Sequence, residues 1–298
     1  NYYSCQTTSS ASYQDLPLPN ANACDKPKGY DTGITSGVNV YELASDNPIT
    51  KGNPVSYVTV SDGKIYNMIP GQSYYWESNS DTNIYGAVTV NSGERRILNA
   101  DSIRNVRDLG GLTATNDTVS GTLKYGLIYR GGLLNDGQNS IDALNRLGIN
   151  TEIDLRGNQS GSKLDNYLGL EITGYETETT SAAASLRAAL TQAMQKVVDK
   201  KSIYFHCKIG TDRTGTLAYF LEGLLGVSDE ERLQDYELSY FSGLLTRHRF
   251  YSLQPGSSVS ETHRFTYMQG NYPTNASIYD FYTENGSNSA AVNLVEQF

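Results

Sequence analysis

A cysteine and an arginine six residues apart are the residues of this chain whose types and spacing are best suited to chemistry. Cys207 and Arg213 enclose the short loop sequence KIGTD. Backbone N–H groups of such a loop can turn inward and bind a tetrahedral oxyanion. A thiol in that positive field is favoured as the thiolate and is then a nucleophile. Arg213 can offer two parallel N–H donors to two oxygens of the bound group.

The elements on either side of this loop must hold it in place. An apolar, aromatic-rich run, Ile203–Phe205, predicts a strand before the loop, and the apolar spacing of Thr214–Gly226 predicts a helix after it. Gly210 frees the backbone where a side chain would block the turn. We therefore predict a strand, an anion-binding loop and a helix, with the anion bound by Lys208, Ile209, Gly210, Thr211, Asp212, Arg213 and Thr214.

The ten residues from His206 to Gly215 read HCKIGTDRTG. This segment resembles the catalytic loop of the protein tyrosine phosphatase superfamily, and most closely the bacterial tyrosine/lipid phosphatase branch, whose loop reads HCxxGKDRTG. Thr211 stands where that branch has a lysine. The resemblance extends over about 96–250 through four further segments, NVRDLGG at 105–111, LIYRGGL at 127–133, IDLR at 153–156 and DYELS at 235–239.

The resemblance implies a hydrolase that acts on phosphate monoesters, above all phosphotyrosine, through a cysteinyl-phosphate intermediate. It implies that His206 supports the site by hydrogen-bonding to the backbone and orienting Cys207. The expected partner is a phosphorylated protein or a small phosphomonoester. We expect no metal and no organic cofactor, because the three His and three Cys show no ligand spacing.

Two carboxyl groups compete for the role of the acid that protonates the leaving oxygen. Asp212 lies within the loop, and the resemblance implies this residue. Asp154 ends a neighbouring predicted strand, and more distant phosphatases take the acid from a separate loop. We favour Asp212 and keep Asp154 as the alternative. Arg107 and Asp108 are read as a buried ion pair rather than as a catalytic pair.

Two other functions stay open. Lys208 after the nucleophile is typical of phosphoinositide or inositol-polyphosphate phosphatases, but Thr211 removes the second cation of such loops. A non-catalytic surface binding protein is the other alternative. It predicts an exposed aromatic stripe around Trp76 in the N-terminal part of the chain.

The order of elements predicts the fold of the C-terminal part. Helical patterns at Ser140–Leu147 and Ser181–Lys200 alternate with strand patterns at Thr151–Leu155 and Ile203–Phe205, with Ser140 as an N-cap. Alternation of this kind predicts an α/β domain at 96–298, with a central, mainly parallel sheet flanked by helices. Asp154 and Cys207 then lie at the carboxyl ends of strands, where ligands of such sheets bind.

The N-terminal part predicts a different fold. Residues 1–32 are polar and without periodicity, so we expect an irregular arm. Residues 33–95 predict a small all-β module that resembles immunoglobulin or fibronectin-III sandwiches, with strands at Val38–Leu43, Val55–Val60, Lys64–Ile69, Ser73–Glu77 and Ile84–Val90. Its aromatic residues are expected to pack in a core, although the module can also serve as a surface for another protein or a glycan.

Composition excludes some partners and suggests a location. The 298 residues carry a net charge of −9, which argues against nucleic acid or an anionic membrane as the main partner. No apolar run is long enough to span a membrane. A disulfide between Cys5 and Cys24 would place the chain in an oxidising environment, so we predict a secreted or cell-surface protein. Two unpaired thiols in a cytosolic protein are the alternative.

Overall fold

The N-terminal module consists of seven described strands. The computed structural model describes residues 27, 29–101, 103–115, 120–175, 177, 179–239 and 268–298. The strands are β1 (Tyr30–Asp31), β2 (Val38–Asp46), β3 (Ile49–Pro54), β4 (Thr59–Ser61), β5 (Lys64–Tyr66), β6 (Ser73–Ser78) and β7 (Tyr85–Thr89). They form two antiparallel sheets, in the orders β1-β5-β4 and β3-β2-β6-β7. The pairing of β1 with β5 means that the module extends at least to Tyr30.

The predicted strands of this module are largely confirmed, and one strand escapes the sequence pattern. The predicted runs form β2, β5, β6 and β7, whereas Val55–Val60 is a strand only at its end. Strand β3 has the polar sequence ITKGNP and is mostly exposed at the edge of its sheet. Edge strands tolerate glycine and proline because one side of their backbone needs no partner strand.

The aromatic residues of the module lie mostly in its interior. Tyr74 and Trp76 of β6 pack in a core with Val38, Val40 and Ile65. Trp76 is only 8% exposed, so the exposed aromatic stripe expected around it is absent from the described residues. Among the large apolar side chains that the structure describes, Tyr85 on the neighbouring β7 is the most exposed, at 51%. The prediction that the non-catalytic binding function made for the surroundings of Trp76 is therefore wrong.

The C-terminal part has the predicted mainly parallel sheet. Its strands are β8 (Arg107–Asp108), β11 (Ile128–Gly131), β12 (Thr151–Asp154), β13 (Tyr167–Gly169) and β14 (Ile203–His206), in the order β13-β12-β14-β11-β8. Strands β13, β12, β14 and β11 run parallel to one another, and only the edge strand β8 is antiparallel to its neighbour. A separate hairpin joins β9 (Thr113–Thr115) to β10 (Ser120–Thr122). Strand β14 therefore lies at the centre of the sheet, with its carboxyl end between those of β11 and β12.

Helices cover both faces of this sheet. The described ones are α1 (Gly137–Arg146), α2 (Thr180–Val198), α3 (Asp212–Leu224), α4 (Asp229–Leu238), α5 (Asn275–Thr283) and α6 (Ser289–Gln297). Alternate residues of β14 contribute to two cores, because strand side chains alternate between faces. Ile203 and Phe205 pack with residues of α2 and α3, and Tyr204 packs with residues of α1.

The N-cap of α1 differs from the prediction. The helix begins one turn before Ser140, which is buried inside it, and Asp136 occupies the cap position. The Ser140 hydroxyl accepts a hydrogen bond from the Asp136 N–H at 3.0 Å. Ser140 therefore reaches back to the N-terminus from inside the first turn, and its sequence signal marks the right helix but the wrong starting residue.

The β module contacts the α/β domain through a few polar groups. The Asn67 side chain exchanges two hydrogen bonds with the backbone of Asn99, at 2.8 and 2.7 Å. The Arg96 guanidinium donates to the Asn67 carbonyl oxygen and pairs with Asp108 at 2.9 Å. Arg146, the last residue of α1, donates to Thr59 at 3.3 Å. Helix α1 ends where the chain turns toward the amino end of β12, so this contact lies away from the carboxyl ends of the strands.

Several expectations lie outside the described residues. They are the Cys5–Cys24 disulfide and most of the arm at 1–32. The secreted or cell-surface location therefore stays a prediction. Among the described helices, none combines the length and the apolar character that crossing a membrane requires.

Replacing Asn67 by alanine should destabilise the β module by about 2 kcal/mol, because Asn99 loses both of its partners. Urea unfolding followed by the fluorescence of Trp76, the single tryptophan of the chain, measures this loss. Asn285→Ala is a matched control, since Asn67 and Asn285 both adopt a positive φ, of 67° and 56°, and Asn285 is exposed. Equal midpoints for the two variants would contradict the proposed contact.

Candidate active site

The Cys-x5-Arg loop lies where the sequence places it, at the carboxyl end of the central strand. Cys207 directly follows β14, and Asp212 is the first residue of α3. The thiol side chain is only 5% exposed, whereas Lys208 is exposed and Arg213 is partly exposed. The nucleophile candidate thus lies at the bottom of the loop.

The carbonyl groups of this loop are held from outside. His206 Nδ1 lies 3.0 Å from the Cys207 oxygen, and the Leu133 N–H donates to the Lys208 oxygen at 3.2 Å. The Asn105 amide donates to the oxygens of Ile209 and Gly210, at 3.4 and 3.0 Å. Arg130 also donates to the Gly210 oxygen, at 3.1 Å.

Anchored carbonyls fix the direction of the N–H groups. In a planar trans peptide the C=O and the following N–H point in opposite directions. Four successive carbonyls, from Cys207 to Gly210, bond outward, so the N–H groups from Lys208 to Thr211 point to the opposite side. The N–H groups of Ile209, Gly210 and Thr211 meet no acceptor among the described residues. The geometry is that of an anion-binding nest.

Gly210 is required by this geometry. Its φ is +80°, and a Cβ atom there would lie 2.5 Å from the backbone of Gly131. Backbone atoms cannot give way as the end of a side chain can. Any other residue would displace either the loop or the end of β11.

The two threonines assigned to phosphate binding offer no exposed hydroxyl. Thr211 and Thr214 are fully buried, and neither hydroxyl has a hydrogen-bond partner among the described residues. Only their backbone can face an anion at the mouth of the loop. The side chain of Thr211 therefore points into the protein, and it offers the anion neither the charge of the lysine found in the related loops nor a hydroxyl group.

Asp212 accepts a hydrogen bond from one tyrosine, which is itself bonded to a second. The Tyr175 hydroxyl donates to Asp212 Oδ1 at 2.7 Å and lies 2.6 Å from the Tyr236 hydroxyl. The Thr216 hydroxyl links the two segments, because it donates to the Asp212 carbonyl at 2.9 Å and accepts from the Tyr175 N–H at 2.7 Å. Asp212 as a residue is partly exposed at the start of α3, next to Arg213.

Asp154 is less suited to donating a proton. It ends β12 opposite His206, as the sequence predicts, and Arg156 pairs with it at 2.7 Å. Tyr167 also donates to it, at 3.2 Å. Burial raises the pKa of Asp154, but the hydrogen bonds and charge of Arg156 outweigh burial and hold that pKa below its ordinary value. The group is therefore a carboxylate at neutral pH.

His206 lies beneath the loop with both ring nitrogens in contact with oxygen. Nδ1 lies 3.0 Å from the Cys207 carbonyl and Nε2 lies 2.8 Å from Glu152 Oε1. Glu152, Asp154 and His206 also bring potential metal ligands within 4.8 Å of one another. These atoms are already engaged, since Asp154 accepts from Arg156 and Tyr167. We assign the three residues to a hydrogen-bonded network.

The predicted pair of Arg107 with Asp108 is wrong, although both residues are buried in ion pairs. Neighbouring residues of a strand point to opposite faces, and these two lie on β8. Asp108 pairs with Arg96, and Arg107 pairs with Asp235 of α4 at 2.9 Å. Burial, and next the charge of Arg130, lowers the pKa of Arg107 to about 10, so the guanidinium stays charged at neutral pH.

Asp235 is the centre of a buried cluster of arginines. Its carboxylate binds Arg95, Arg107 and Arg130, with Arg130 Nη1 at 2.5 Å. Burial raises the pKa of Asp235, but the three guanidinium groups outweigh burial and hold that pKa far below its ordinary value. Because Arg130 also donates to the Gly210 carbonyl, Asp235 positions the phosphate loop through one intermediate side chain.

A second carboxyl lies in the same cluster. Glu222 of α3 is fully buried, and neither of its oxygens meets a donor among the described residues. Burial, and next the charge of Asp235, raises the pKa of Glu222 well above its ordinary value. Burial and the neighbouring carboxylate of Asp235 therefore both favour the protonated form of Glu222.

A cavity of about 260 Å³ opens beside the loop. Its walls come from Leu133–Gly137 after β11, from 154–163 after β12 and from Tyr167 of β13. The cations at its wall are Arg156 and Lys163, and Lys163 Nζ lies 4.6 Å from the centroid of the Tyr167 ring. The cavity is adjacent to the loop because Leu133 bonds to Lys208 and Asp154 lies opposite His206.

The sequence predicted that the loop, His206 and Asp154 lie close together. It did not identify the residues that form hydrogen bonds and ion pairs around them. Asn105, Arg130 and Asp235 lie in the segments NVRDLGG, LIYRGGL and DYELS, so their signal was present without an assigned role. Glu152 and Tyr175 lie outside the segments of resemblance. Their roles depend on contacts between distant parts of the chain.

Comparison with solved structures finds proteins of low sequence identity. TpbA of P. aeruginosa matches at 16% identity with a TM-score of 0.39, over 59% of this chain and 96% of TpbA. A cysteine-to-serine variant of TpbA in complex with pTyr matches at 18% identity with a TM-score of 0.35, over 53% of this chain and 97% of TpbA. A leucine rich repeat and phosphatase domain containing protein from Entamoeba histolytica matches at 14% identity with a TM-score of 0.27, over 54% and 90% of the two chains.

The sequence was also compared with models of protein families and with curated proteins. A family model described as the tyrosine phosphatase family matches residues 98–252. Among the curated proteins, no sequence matches this chain. The range matched by the family model is just over half of the chain, and it contains the loop together with Asn105, Arg130 and Asp235.

Asp235→Asn should destabilise the protein by about 3–5 kcal/mol, because the change leaves three buried arginines without a carboxylate. Chemical denaturation measures this loss. Glu230→Gln on the same helix is the control, since Glu230 is exposed. Exposed substitutions of this kind change stability by about 0.5 kcal/mol or less. Similar losses for the two variants would refute the central position of Asp235.

Glu222→Gln should stabilise the protein increasingly as the pH rises. With its raised pKa, Glu222 keeps its proton to higher pH in the folded protein than in the unfolded chain, which releases it above about pH 4.3, so the contribution of this group to stability falls with rising pH. Glutamine has the same size and does not titrate. Thermal midpoints from pH 4.5 to 8 should be close at the acid end and diverge in favour of the variant. A constant difference would show that Glu222 does not hold a proton.

Proposed function

Because this chain belongs to the tyrosine phosphatase family, we propose that it hydrolyses phosphotyrosine through a cysteinyl-phosphate intermediate. Family membership makes the chain a phosphatase, and phosphorylated molecules are its substrates. The preferred ester and the covalent intermediate are our inference. The observation that carries this inference is the loop, whose carbonyls from Cys207 to Gly210 are anchored outward while its N–H groups converge beside a cysteine.

In the first step, the thiolate of Cys207 attacks phosphorus in line with the leaving oxygen. The S–P bond forms as the P–O bond to the leaving group breaks. Loop N–H groups and Arg213 bind the three equatorial oxygens, where the charge of the transition state is spread. The ion pairs found among the described residues do not include Arg213, and this residue is partly exposed, so its guanidinium is available for this role.

Asp212 supplies the proton that the leaving oxygen needs. In the second step its carboxylate takes a proton from water, the water oxygen attacks phosphorus and the S–P bond breaks. Inorganic phosphate and the Cys207 thiolate are the products. Asp212 is partly exposed beside the nucleophile, whereas Asp154 is buried and paired with Arg156, so the geometry favours Asp212.

The depth of the site supports an aryl ester as the substrate. Cys207 is only 5% exposed, so the phosphate has to enter the loop before attack. The phosphate of phosphotyrosine stands farther from its backbone than that of phosphoserine or phosphothreonine. A long, flat side chain therefore reaches a nucleophile at the bottom of a loop most easily.

One observation favours a second candidate, an inositol-polyphosphate or phosphoinositide substrate. The cavity beside the loop carries Arg156 and Lys163, and Lys208 is exposed at the loop itself. These cations replace in part the lysine that is missing at Thr211. Additional phosphates of such a substrate would enter the cavity while one phosphate lies in the loop.

Cys207→Ser should abolish phosphate release from aryl phosphates under reducing conditions, because a serine hydroxyl is a far weaker nucleophile at this site. The ranking of phosphotyrosine peptides against phosphoinositides then selects between the two substrates. Phosphate release by Cys207→Ser at the wild-type rate would overturn the mechanism.

Asp212→Asn should lower kcat by about 10²- to 10⁴-fold, the usual contribution of a general acid. The loss should be larger for phenyl phosphate than for p-nitrophenyl phosphate, whose leaving group needs no proton. Asp154→Asn is the parallel variant. If Asp154→Asn shows this dependence on the leaving group and Asp212→Asn does not, Asp154 is the general acid and the assignment of Asp212 is wrong.

A further inference from the structure

Glu152 and His206 form a buried pair on neighbouring strands. β12 and β14 run parallel, and Glu152 lies on the same face as His206, two residues before the position that pairs with it. Their side chains meet at 2.8 Å, with Nε2 of the ring facing Oε1 of the carboxyl. The His206 and Glu152 side chains are 0% and 1% exposed. Water therefore does not reach this hydrogen bond.

The number of protons in this pair follows from its geometry. The other ring nitrogen, Nδ1, lies 3.0 Å from the Cys207 carbonyl oxygen, which can only accept a hydrogen bond. A neutral imidazole has one N–H, so it can satisfy only one of the two oxygens. Two lone pairs facing each other at such a distance repel. The pair therefore holds one proton more than a neutral imidazole and a carboxylate.

The ring is the better place for this proton, because a carboxylic acid is a stronger acid than an imidazolium. The environment supports a carboxylate at Glu152, since its second oxygen accepts from the Leu164 N–H at 2.7 Å. The Tyr204 ring stacks on the imidazole, with centroids 5.4 Å apart and planes at 23°. Every polar atom of the pair thus has a partner.

We propose that Glu152 is a positioning residue that keeps His206 doubly protonated beneath the nucleophile. The ring then donates to the Cys207 carbonyl and places a positive charge below the thiolate. Both effects favour the reactive form of the loop, the first by fixing the backbone and the second by electrostatic attraction. The inference deepens the proposed function, because it rests on Cys207 being the nucleophile.

Other titratable groups near the ring have partners of their own. Asp154 lies opposite His206 and is neutralised by Arg156, with Tyr167 as a further donor. Tyr204 faces the ring from its own strand and donates its hydroxyl to the Gly132 carbonyl. Glu152 is the carboxyl group that shares a hydrogen bond with the ring, whereas Asp154 acts on the ring by its charge alone.

The substitution Glu152→Gln tests this role, because it removes the carboxylate and keeps a side chain of the same size. A glutamine amide can donate to Nε2 of a neutral ring, and Nδ1–H still donates to the Cys207 carbonyl, so the hydrogen bonds persist and the charges disappear. The readout is the alkylation rate of Cys207 by iodoacetamide against pH, followed by mass spectrometry of its peptide in the full chain.

The midpoint of this alkylation profile should move up by about one pH unit, because the positive ring of the lost pair contacts Cys207 and the negative carboxylate lies on the far side of the ring. Below both midpoints, alkylation of the variant should be about tenfold slower. Glu230→Gln, an exposed glutamate on α4, is the matched control and should follow the wild type. Identical profiles for Glu152→Gln and the wild type would overturn the proposal.

A measurement on the wild type keeps the test independent of folding. The chain has three histidines, so the ring ¹⁵N signals of His206 can be assigned by comparison with a His206→Asn variant. At neutral pH both nitrogens should show N–H signals, and a neutral tautomer would refute the charge. Alkylation and NMR require no substrate. They therefore separate a failure of this inference from a failure of the proposed phosphatase mechanism.

Discussion

The structure depends on one buried carboxylate, that of Asp235, which binds Arg95, Arg107 and Arg130 at once. Three buried guanidinium groups without a carboxylate would be very unfavourable, so their mutual positions follow from it. Arg130 transmits this constraint to the Gly210 carbonyl. Helix α4 is thereby connected, through Arg130, to the backbone of the loop that we propose binds the phosphate.

Cys207 lies between two supports of different chemistry. On one face of the sheet, Arg130 and Asn105 hold the loop by its outer carbonyls. On the other face, His206 contacts the Cys207 carbonyl and is itself held by Glu152. This arrangement follows from the alternation of side chains along β11, β12 and β14, which sends neighbouring residues into separate cores. One strand end is therefore fixed from both sides.

The β module is attached to the α/β domain away from this site. Asn67 and Thr59 contact Asn99 and the end of α1, whereas the loop lies at the carboxyl ends of the strands. These contacts therefore do not place the β module over the active site as a lid. The exposed part of the module includes Tyr85, stacked on Tyr75 with ring centroids 5.5 Å apart.

The sequence alone determined the strand, loop and helix around Cys207, the parallel sheet and the family resemblance. These depend on local patterns, namely the spacing of apolar residues and the motif HCKIGTDRTG. It did not determine that the side chains of Arg107 and Asp108 point to opposite faces of the sheet, that Thr211 is buried, or that Glu152 is hydrogen-bonded to His206. Only the tertiary structure decided these points, because an ion pair or a hydrogen bond requires two groups whose distance depends on how the whole chain packs.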